Sequence, residues 1–120
     1  MIDHLSIRVS DMAASKRFYE AALKPLGYSV IMDFGEQAVG LGESGKPDFW
    51  LGKGAPSPSH VAFRSPDRAT VDAFYAAAIA AAGRDNGAPG PRAQYHPGYY
   101  GAFVLDPDGY NVEAVCHQAP

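Results

Sequence analysis

The strongest constraint on the fold is that this 120-residue chain repeats part of its own sequence. Residues 4–23 and 60–79 match at a constant offset of 56, with eight of 20 positions identical. The identical residues differ in chemical type, so low complexity does not explain the match; they include His4/His60, Arg8/Arg64, Asp11/Asp67, Phe18/Phe74 and Tyr19/Tyr75. The chain is therefore interpreted as two copies of one structural unit.

Each copy opens with the pattern of a strand followed by a helix. Apolar and polar side chains alternate along residues 4–9 and 60–64, as on a strand with one buried face. His4 and His60 take equivalent places on the less apolar face, and Asp11 and Asp67 are predicted helix N-caps. Apolar residues at helical spacing predict a buried stripe on each helix, which in the second comprises Val71, Phe74, Tyr75, Ala78, Ile79 and Ala82.

Short strands with turn residues between them follow each helix. In the first half we expect strands at residues 28–34, 37–42 and 48–52. In the second half a Gly/Pro-rich loop at 87–98 precedes strands at 99–106 and 110–115, which the turn at 106–109 joins. Each half is interpreted as strand–helix–three strands. The chain is then a single domain, with module one at residues 1–53 and module two at 57–120.

The composition is typical of an ordinary soluble globular protein, with 47% hydrophobic residues, 19% charged residues and a net charge of −3. Without a basic patch, nucleic acid is a poor candidate partner. No signal peptide is evident, and no apolar run approaches the roughly 20 residues that a membrane span needs. Cys116 is the single cysteine, which excludes an internal disulfide. These features favour a cytoplasmic protein.

Two histidines at equivalent places in a duplicated unit raise the prospect of a metal site. If the halves pair about a pseudo-two-fold axis, His4 and His60 converge on a shared cleft, where imidazoles suit a divalent cation. Glu113 interrupts an apolar run, and a buried carboxylate needs a partner such as a metal. A surface position for Glu113 and structural roles for the histidines are equally open from these patterns alone.

Three segments resemble the vicinal oxygen chelate superfamily, which includes glyoxalase I, extradiol dioxygenases, fosfomycin-resistance proteins and bleomycin-binding proteins. Residues 2–28 resemble the start of its first module, SHVAFR the start of its second, and YYGAFVLDPDGYNVEAV its closing hairpin. The resemblance implies an α+β fold, in which two βαβββ modules form a curved mixed sheet around a central cleft. It also implies His4, His60 and Glu113 as ligands of one divalent metal ion, Zn, Fe, Mn or Ni.

One departure from the family pattern concerns the fourth strand of module one. Some members, glyoxalase I among them, have a fourth protein ligand there, a carboxylate. Aligning DFWLG with NVEAV puts Trp50 opposite Glu113, or Phe49 after a shift of one residue, and neither binds metal. Asp48 is nearby and stays an outside alternative. The simplest interpretation is a two-His-one-Glu site with open coordination positions.

The resemblance and the strand pattern together suggest the remaining site residues. Trp50 and Phe49 are predicted to line the cleft, and the loop before the closing hairpin is a candidate lid. With Glu113, Tyr100 or His96 is the candidate acid–base group. Candidate substrate-binding residues besides Trp50 and Phe49 are Arg92, Tyr99, Arg8 and Ser6. An ordinary loop or strand role is the alternative for each, and His117 is expected to be solvated.

The resulting functional hypothesis is a small metal-dependent enzyme that chelates an oxygenated substrate. The metal would act as a Lewis acid in lyase, isomerase or ring-cleavage chemistry. The alternative is a non-catalytic protein that binds a small molecule or drug, as bleomycin-binding members do. We expect a homodimer from the resemblance. The modules pair either within one chain or between two chains, and in the second case His4 meets His60 and Glu113 of the other copy.

Overall fold

The computed structural model describes residues 1–119, which fold into eight strands and two α-helices. The first half contains β1 (Leu5–Val9), α1 (Met12–Ala22), β2 (Ser29–Asp33), β3 (Ala38–Glu43) and β4 (Lys46–Lys53). A short 3-10 helix, Lys24–Leu26, follows α1. The second half contains β5 (His60–Arg64), α2 (Arg68–Ala80), β6 (Arg84–Pro91), β7 (Tyr100–Leu105) and β8 (Asn111–Cys116).

The strands form two four-stranded mixed sheets with the same topology. Their orders are β1-β4-β3-β2 and β5-β8-β7-β6, and in each the first strand is parallel to its neighbour while the other pairs are antiparallel. The predicted α+β fold with two strand–helix–three-strand modules is confirmed. We refer to the sheets with their helices as module one and module two.

One local prediction was wrong, because β6 occupies residues that were expected to form a loop. The strand runs from Arg84 to Pro91, so only the second part of the predicted loop, residues 92–98, is irregular. Glycine and proline suggested a loop because they weaken the interior of a sheet. Here they are tolerated because β6 is an edge strand, with register shifts around Gly87 in its pairing with β7.

Both helices begin as the sequence predicts and bury their aromatic stripes. The Asp11 side chain accepts a hydrogen bond from Ala14 N, and Asp67 accepts one from Thr70 N. Phe18, Tyr19 and Phe74 are fully buried in a core that the two modules share. Ile79 was predicted to belong to the stripe but is exposed, because Ala78 and Phe74 take the inward positions of α2.

The hairpin turn of module two fastens it to module one. Tyr19 donates a hydrogen bond from its hydroxyl to Asp106 Oδ2 over 2.5 Å, while Tyr110 donates from its hydroxyl to the Arg8 carbonyl over 2.7 Å. Ser10 N donates to Asp108 over 3.1 Å. Burial raises the pKa of Asp106, although its hydrogen bonds with Tyr19 and the turn amides act against the shift. These contacts and the shared core fix the angle between the modules.

The two strands that open the modules are left at sheet edges. β1 and β5 each have one hydrogen-bonded neighbour, and they do not pair with each other. Ile2 and Leu5 at the start of β1 are 85% and 41% exposed. No helix within residues 1–119 is long and apolar enough to cross a membrane.

Candidate metal centre and cleft faces

Glu113 is a buried carboxylate in the middle of the sheet of module two. It lies on β8, and its neighbours Val112 and Ala114 point into the core, so alternation turns Glu113 to the face away from the helices. The residue is only 2% exposed. His60 Nε2 lies 2.9 Å from Glu113 Oε1, and the Tyr99 hydroxyl donates a hydrogen bond to Oε2. Both carboxylate oxygens therefore have partners.

The ring of His60 is held with one nitrogen turned toward the carboxylate. Its Nδ1 lies 3.0 Å from the carbonyl oxygen of Asn111. A carbonyl only accepts, so Nδ1 carries a hydrogen, and Nε2 of a neutral ring is then a bare lone pair facing Glu113. Two acceptors at this distance need a proton or a cation between them. A carbonyl that fixes the ring in this way is the usual support of a metal-ligating histidine.

Tyr99 and Gly101 shape the space around the carboxylate. A Cβ on Gly101 would lie 3.2 Å from Glu113 Oε2 and 3.2 Å from the Tyr99 ring, so glycine leaves room for both groups. Burial, together with the hydrogen bond to Glu113, raises the pKa of Tyr99 well above its usual range. A tyrosine phenol is protonated near neutral pH even at its ordinary pKa, and the Tyr99 hydroxyl serves as a donor to Glu113.

His4 lies apart from this pair. It precedes β1, its side chain is 56% exposed, and its Nδ1 is 2.8 Å from Oδ1 of Asp3. Within residues 1–119, no three His, Cys, Asp or Glu side chains form a group that could hold a metal ion. A single chain thus brings together two of the three predicted ligands, His60 and Glu113.

The corresponding face of module one carries Trp50 in place of the glutamate. Trp50 pairs with Ser6 on β1, and Glu113 pairs with Ala62, the residue equivalent to Ser6, on β5. Trp50 shares a shallow hollow with Ser6 and Arg8. Phe49, which was also predicted to line the cleft, points to the opposite face because adjacent strand residues alternate. It is 1% exposed in the core and borders the hollow between β1 and β5 that His60 also lines.

Of the two neighbouring tyrosines, Tyr99 and not Tyr100 faces the carboxylate. Tyr100 pairs with Cys116, on the helix-facing side of the sheet, and its hydroxyl donates to Asp72 Oδ1 over 2.7 Å. The Arg68 guanidinium lies over its ring, 4.8 Å from the centroid. The expectation that Tyr100 acts as the acid–base group beside the metal is therefore contradicted by strand alternation.

His96 lies behind Tyr99 and does not contact Glu113. Its ring packs edge-on against the Tyr99 ring at 5.2 Å. Its Nδ1 lies 2.7 Å from the Pro97 carbonyl, and its Nε2 lies 2.8 Å from Nδ1 of His117. His117 is exposed, as expected, and this contact also ties the C-terminal tail to the loop.

Arg92 follows β6, and its guanidinium folds back onto the carbonyl groups of that strand. Its guanidinium donates to the carbonyls of Gly90 and Ala88 over 2.9 and 2.8 Å, and it lies over the Phe103 ring at 5.4 Å. The Phe103 ring also stacks with the His60 ring, with 6.2 Å between the ring centroids. Phe103 was missed by the sequence prediction. Its cross-strand pairing with Glu113 is the signal that would have found it, once the hairpin register was known.

The chain is a small protein of two modules with the same strand–helix–three-strand topology, and one of its sheets carries a histidine beside a buried glutamate. The sequence model described as Glyoxalase/Bleomycin resistance protein/Dioxygenase superfamily matches residues 1–114. The chain belongs to this superfamily, as its resemblance predicted.

Solved structures of the same fold cover nearly the whole chain. A glyoxalase/bleomycin resistance protein from Albidiferax ferrireducens T118 is 26% identical, with a TM-score of 0.80 over 95% of this chain and 96% of that one. A lactoylglutathione lyase from Agrobacterium tumefaciens is 19% identical, with a TM-score of 0.72 and coverage of 97% and 92%. At this lower identity the likeness supports the fold alone. The search of curated proteins found no match.

Proposed function

We propose that this chain is a metal-dependent enzyme that chelates a small oxygenated substrate, in a site completed by a second copy of the chain. The observation that carries the proposal is the contact of His60 with Glu113. A histidine lone pair and a buried carboxylate converge over 2.9 Å, with the ring fixed from behind by the Asn111 carbonyl. This arrangement suits a cation better than it suits two uncharged structural partners.

The donor set fits a first-row divalent metal such as Zn, Fe, Mn or Ni. Imidazole nitrogen and carboxylate oxygen are ligands that these ions accept, and a two-His-one-Glu set leaves coordination positions open for substrate oxygens. In this proposal His60, Glu113 and His4 hold the metal, while Tyr99 orients Glu113. When bound, the metal supplies Lewis-acid stabilisation of negative charge on the substrate.

A second copy is the natural source of the third ligand. His4 is exposed next to β1, and both β1 and β5 are edge strands without a partner on their outer side. Ile2 and Leu5 add exposed apolar surface at this edge, which association would cover. In a homodimer that joins module one of each chain to module two of the other, His4 would approach His60 and Glu113 of the other copy.

The chemistry proposed for the site is lyase, isomerase or ring-cleavage chemistry on a substrate with two neighbouring oxygens. Of the predicted acid–base groups, Glu113 and His96 stay in the proposal. The Phe103 ring lies beside the His60 ring and limits water around the contact of His60 with Glu113. Tyr99 donates to Glu113 Oε2, so Oε1, which faces His60, is the oxygen that would hold the metal.

A non-catalytic binding protein is the second candidate function. Two observations favour it: residues 1–119 of one chain hold no three-ligand group, and the net charge of −3 suits a cationic small molecule. Metal binding separates the two candidates, because the enzyme proposed here needs the ion and the binding protein does not.

The test is titration of the metal-free full-length chain with Co²⁺, followed by absorption of the bound ion and by calorimetry. We expect one tight site per chain. Glu113→Gln should weaken it about 100-fold or more, since it removes an anionic ligand. The control is Glu43→Gln, which removes an exposed carboxylate at the end of β3. Absence of a tight site in the unaltered chain, or equal losses in both variants, would contradict the enzyme proposal.

A further inference from the structure

Module one carries an aromatic surface on the face where module two carries its carboxylate. Trp50 is half-buried and lies flat over β3, because Gly40 has no side chain: a Cβ there would be 2.9 Å from the indole ring. The Phe34 ring stacks beside it, 6.3 Å away with an interplanar angle of 10°. Phe34 is 61% exposed, so the aromatic surface extends to the solvent.

Met32 extends this surface along the neighbouring strand. It pairs with Gly40, which in turn pairs with Trp50, so both side chains share one sheet face. Met32 is 44% exposed. We call Trp50, Phe34 and Met32 the tryptophan platform. A flat, exposed surface of aromatic carbon and polarisable sulfur favours a planar ring as its partner.

An arginine without an acidic partner lies beside the platform. Arg8 pairs with Gly52, on the same face as Trp50 and two residue pairs further along β1 and β4. Its guanidinium donates to the Lys53 carbonyl over 3.2 Å and forms no ion pair within residues 1–119. Gly52 has no side chain to cover it. Arg8, Ser6, Gln37 and Trp50 line a hollow of about 230 Å³.

We propose that the face of module one binds the substrate through a planar aromatic ring and a carboxylate. The ring stacks on the tryptophan platform, and the carboxylate accepts hydrogen bonds from Arg8, whose planar guanidinium suits that group. This inference rests on the proposed function in one respect: the molecule bound on this face is taken to be the substrate of the proposed metal site. The platform and Arg8 do not depend on a metal.

Because Trp50 is the single tryptophan, its indole N–H gives one signal in a proton–nitrogen correlation spectrum. The experiment titrates the full chain, freed of metal with a chelator, with benzoate. Cyclohexanecarboxylate keeps the charge without the planar ring, and benzamide keeps the ring without the charge. We expect benzoate to shift the indole signal saturably and to bind about tenfold more tightly than either comparison compound.

Two variants assign the binding to the named groups. Arg8→Gln should weaken benzoate binding about tenfold, to the level of benzamide, while benzamide itself is unaffected. Arg17→Gln is the matched control, because it removes the same charge from the exposed side of α1. Trp50→Leu, followed through the ligand signals, should abolish the preference for benzoate over cyclohexanecarboxylate.

Equal binding of the three compounds, or equal losses in Arg8→Gln and Arg17→Gln, would overturn the inference. The result does not depend on the metal site, because metal is absent throughout. Glu113→Gln should therefore keep benzoate binding in the metal-free titration, while it loses tight binding in the separate Co²⁺ titration. If the unaltered chain binds benzoate as expected but has no tight site for Co²⁺, the proposed function is wrong and the inference about the aromatic carboxylate holds.

Discussion

The two modules share a topology, but the same register position serves opposite chemistry in each. In module two Glu113 is buried, and hydrogen bonds or close contacts occupy both of its oxygens. In module one Trp50 holds that position and presents a flat ring. The difference shows that duplication preserves the backbone pairing, while the side chain at one register position sets the chemistry of each face.

The repeated histidines differ in the same way. His60 begins β5, and the Asn111 carbonyl on the neighbouring strand fixes its ring. His4 precedes β1, and its Nδ1 lies 2.8 Å from the exposed carboxylate of the adjacent Asp3. Module two therefore holds its histidine in one orientation beside Glu113. The His4 side chain of module one is 56% exposed and has no such carbonyl behind its ring among the hydrogen bonds of residues 1–119.

The largest effect expected among substitutions that test this asymmetry is that of Tyr99→Phe. Removing the hydroxyl leaves Glu113 Oε2 without its donor, so the carboxylate can rotate. Loss of such a supporting hydrogen bond weakens metal affinity about 10- to 100-fold. Titration with Co²⁺ and the spectrum of the bound ion measure it. Tyr95→Phe is the control, since Tyr95 is exposed and packs against the Tyr99 ring without contacting Glu113. Equal affinities in the two variants would contradict a positioning role for Tyr99.

Trp50→Glu makes the modules alike and should have the next largest effect. It places a carboxylate at the register position equivalent to Glu113, as in superfamily members with four protein ligands. If the metal is held between copies, affinity for Co²⁺ should rise about tenfold and the spectrum should change with the added ligand. Trp50→Gln, which adds no charge, is the control. An unchanged affinity in Trp50→Glu would mean that module one does not face the metal.

The smallest effect concerns the helix caps, where the modules should behave alike. At neutral pH, Asp11→Ala and Asp67→Ala should each lower the thermal midpoint by a few degrees, because each removes an N-cap acceptor. The Thr70 hydrogen bonds lower the pKa of Asp67 below 3.8. The stabilisation from Asp67 is thus present above that value and lost as pH falls through the lowered pKa. Melting curves at neutral and acidic pH measure this, and a cap effect that grows in acid would contradict it.

Much of the fold was predictable because its signals are local. The repeat at constant offset gave two modules, alternation gave the strand faces, and Asp11 and Asp67 marked the helix starts. β6 was missed because glycine and proline are read as loop signals, whereas the edge position that tolerates them depends on the assembled sheet. Ile79 was wrongly predicted to be buried, because helical spacing alone does not reveal how wide a strip of α2 packs against the sheet.

The candidate site was predictable only as far as strand alternation reaches. His60 and Glu113 meet as expected, since their strands are neighbours and their faces agree. The choice between Tyr99 and Tyr100 depended on where β7 begins, which a run of two tyrosines does not reveal. Phe49 followed Trp50 into the prediction because the register of the alignment was left open by one residue. The position of His4 relative to module two depends on how the modules pack, which no local pattern encodes.

The most direct measurement of the central claim is Co²⁺ stoichiometry in mixed variants. His4→Ala and His60→Ala should each lack the tight site when pure. If ligands come from two copies, a mixed dimer regenerates one intact site, so random exchange should restore about a quarter of the normal stoichiometry. A mixture that binds no more Co²⁺ than the average of its two pure components, after exchange is verified, would contradict a site shared between chains.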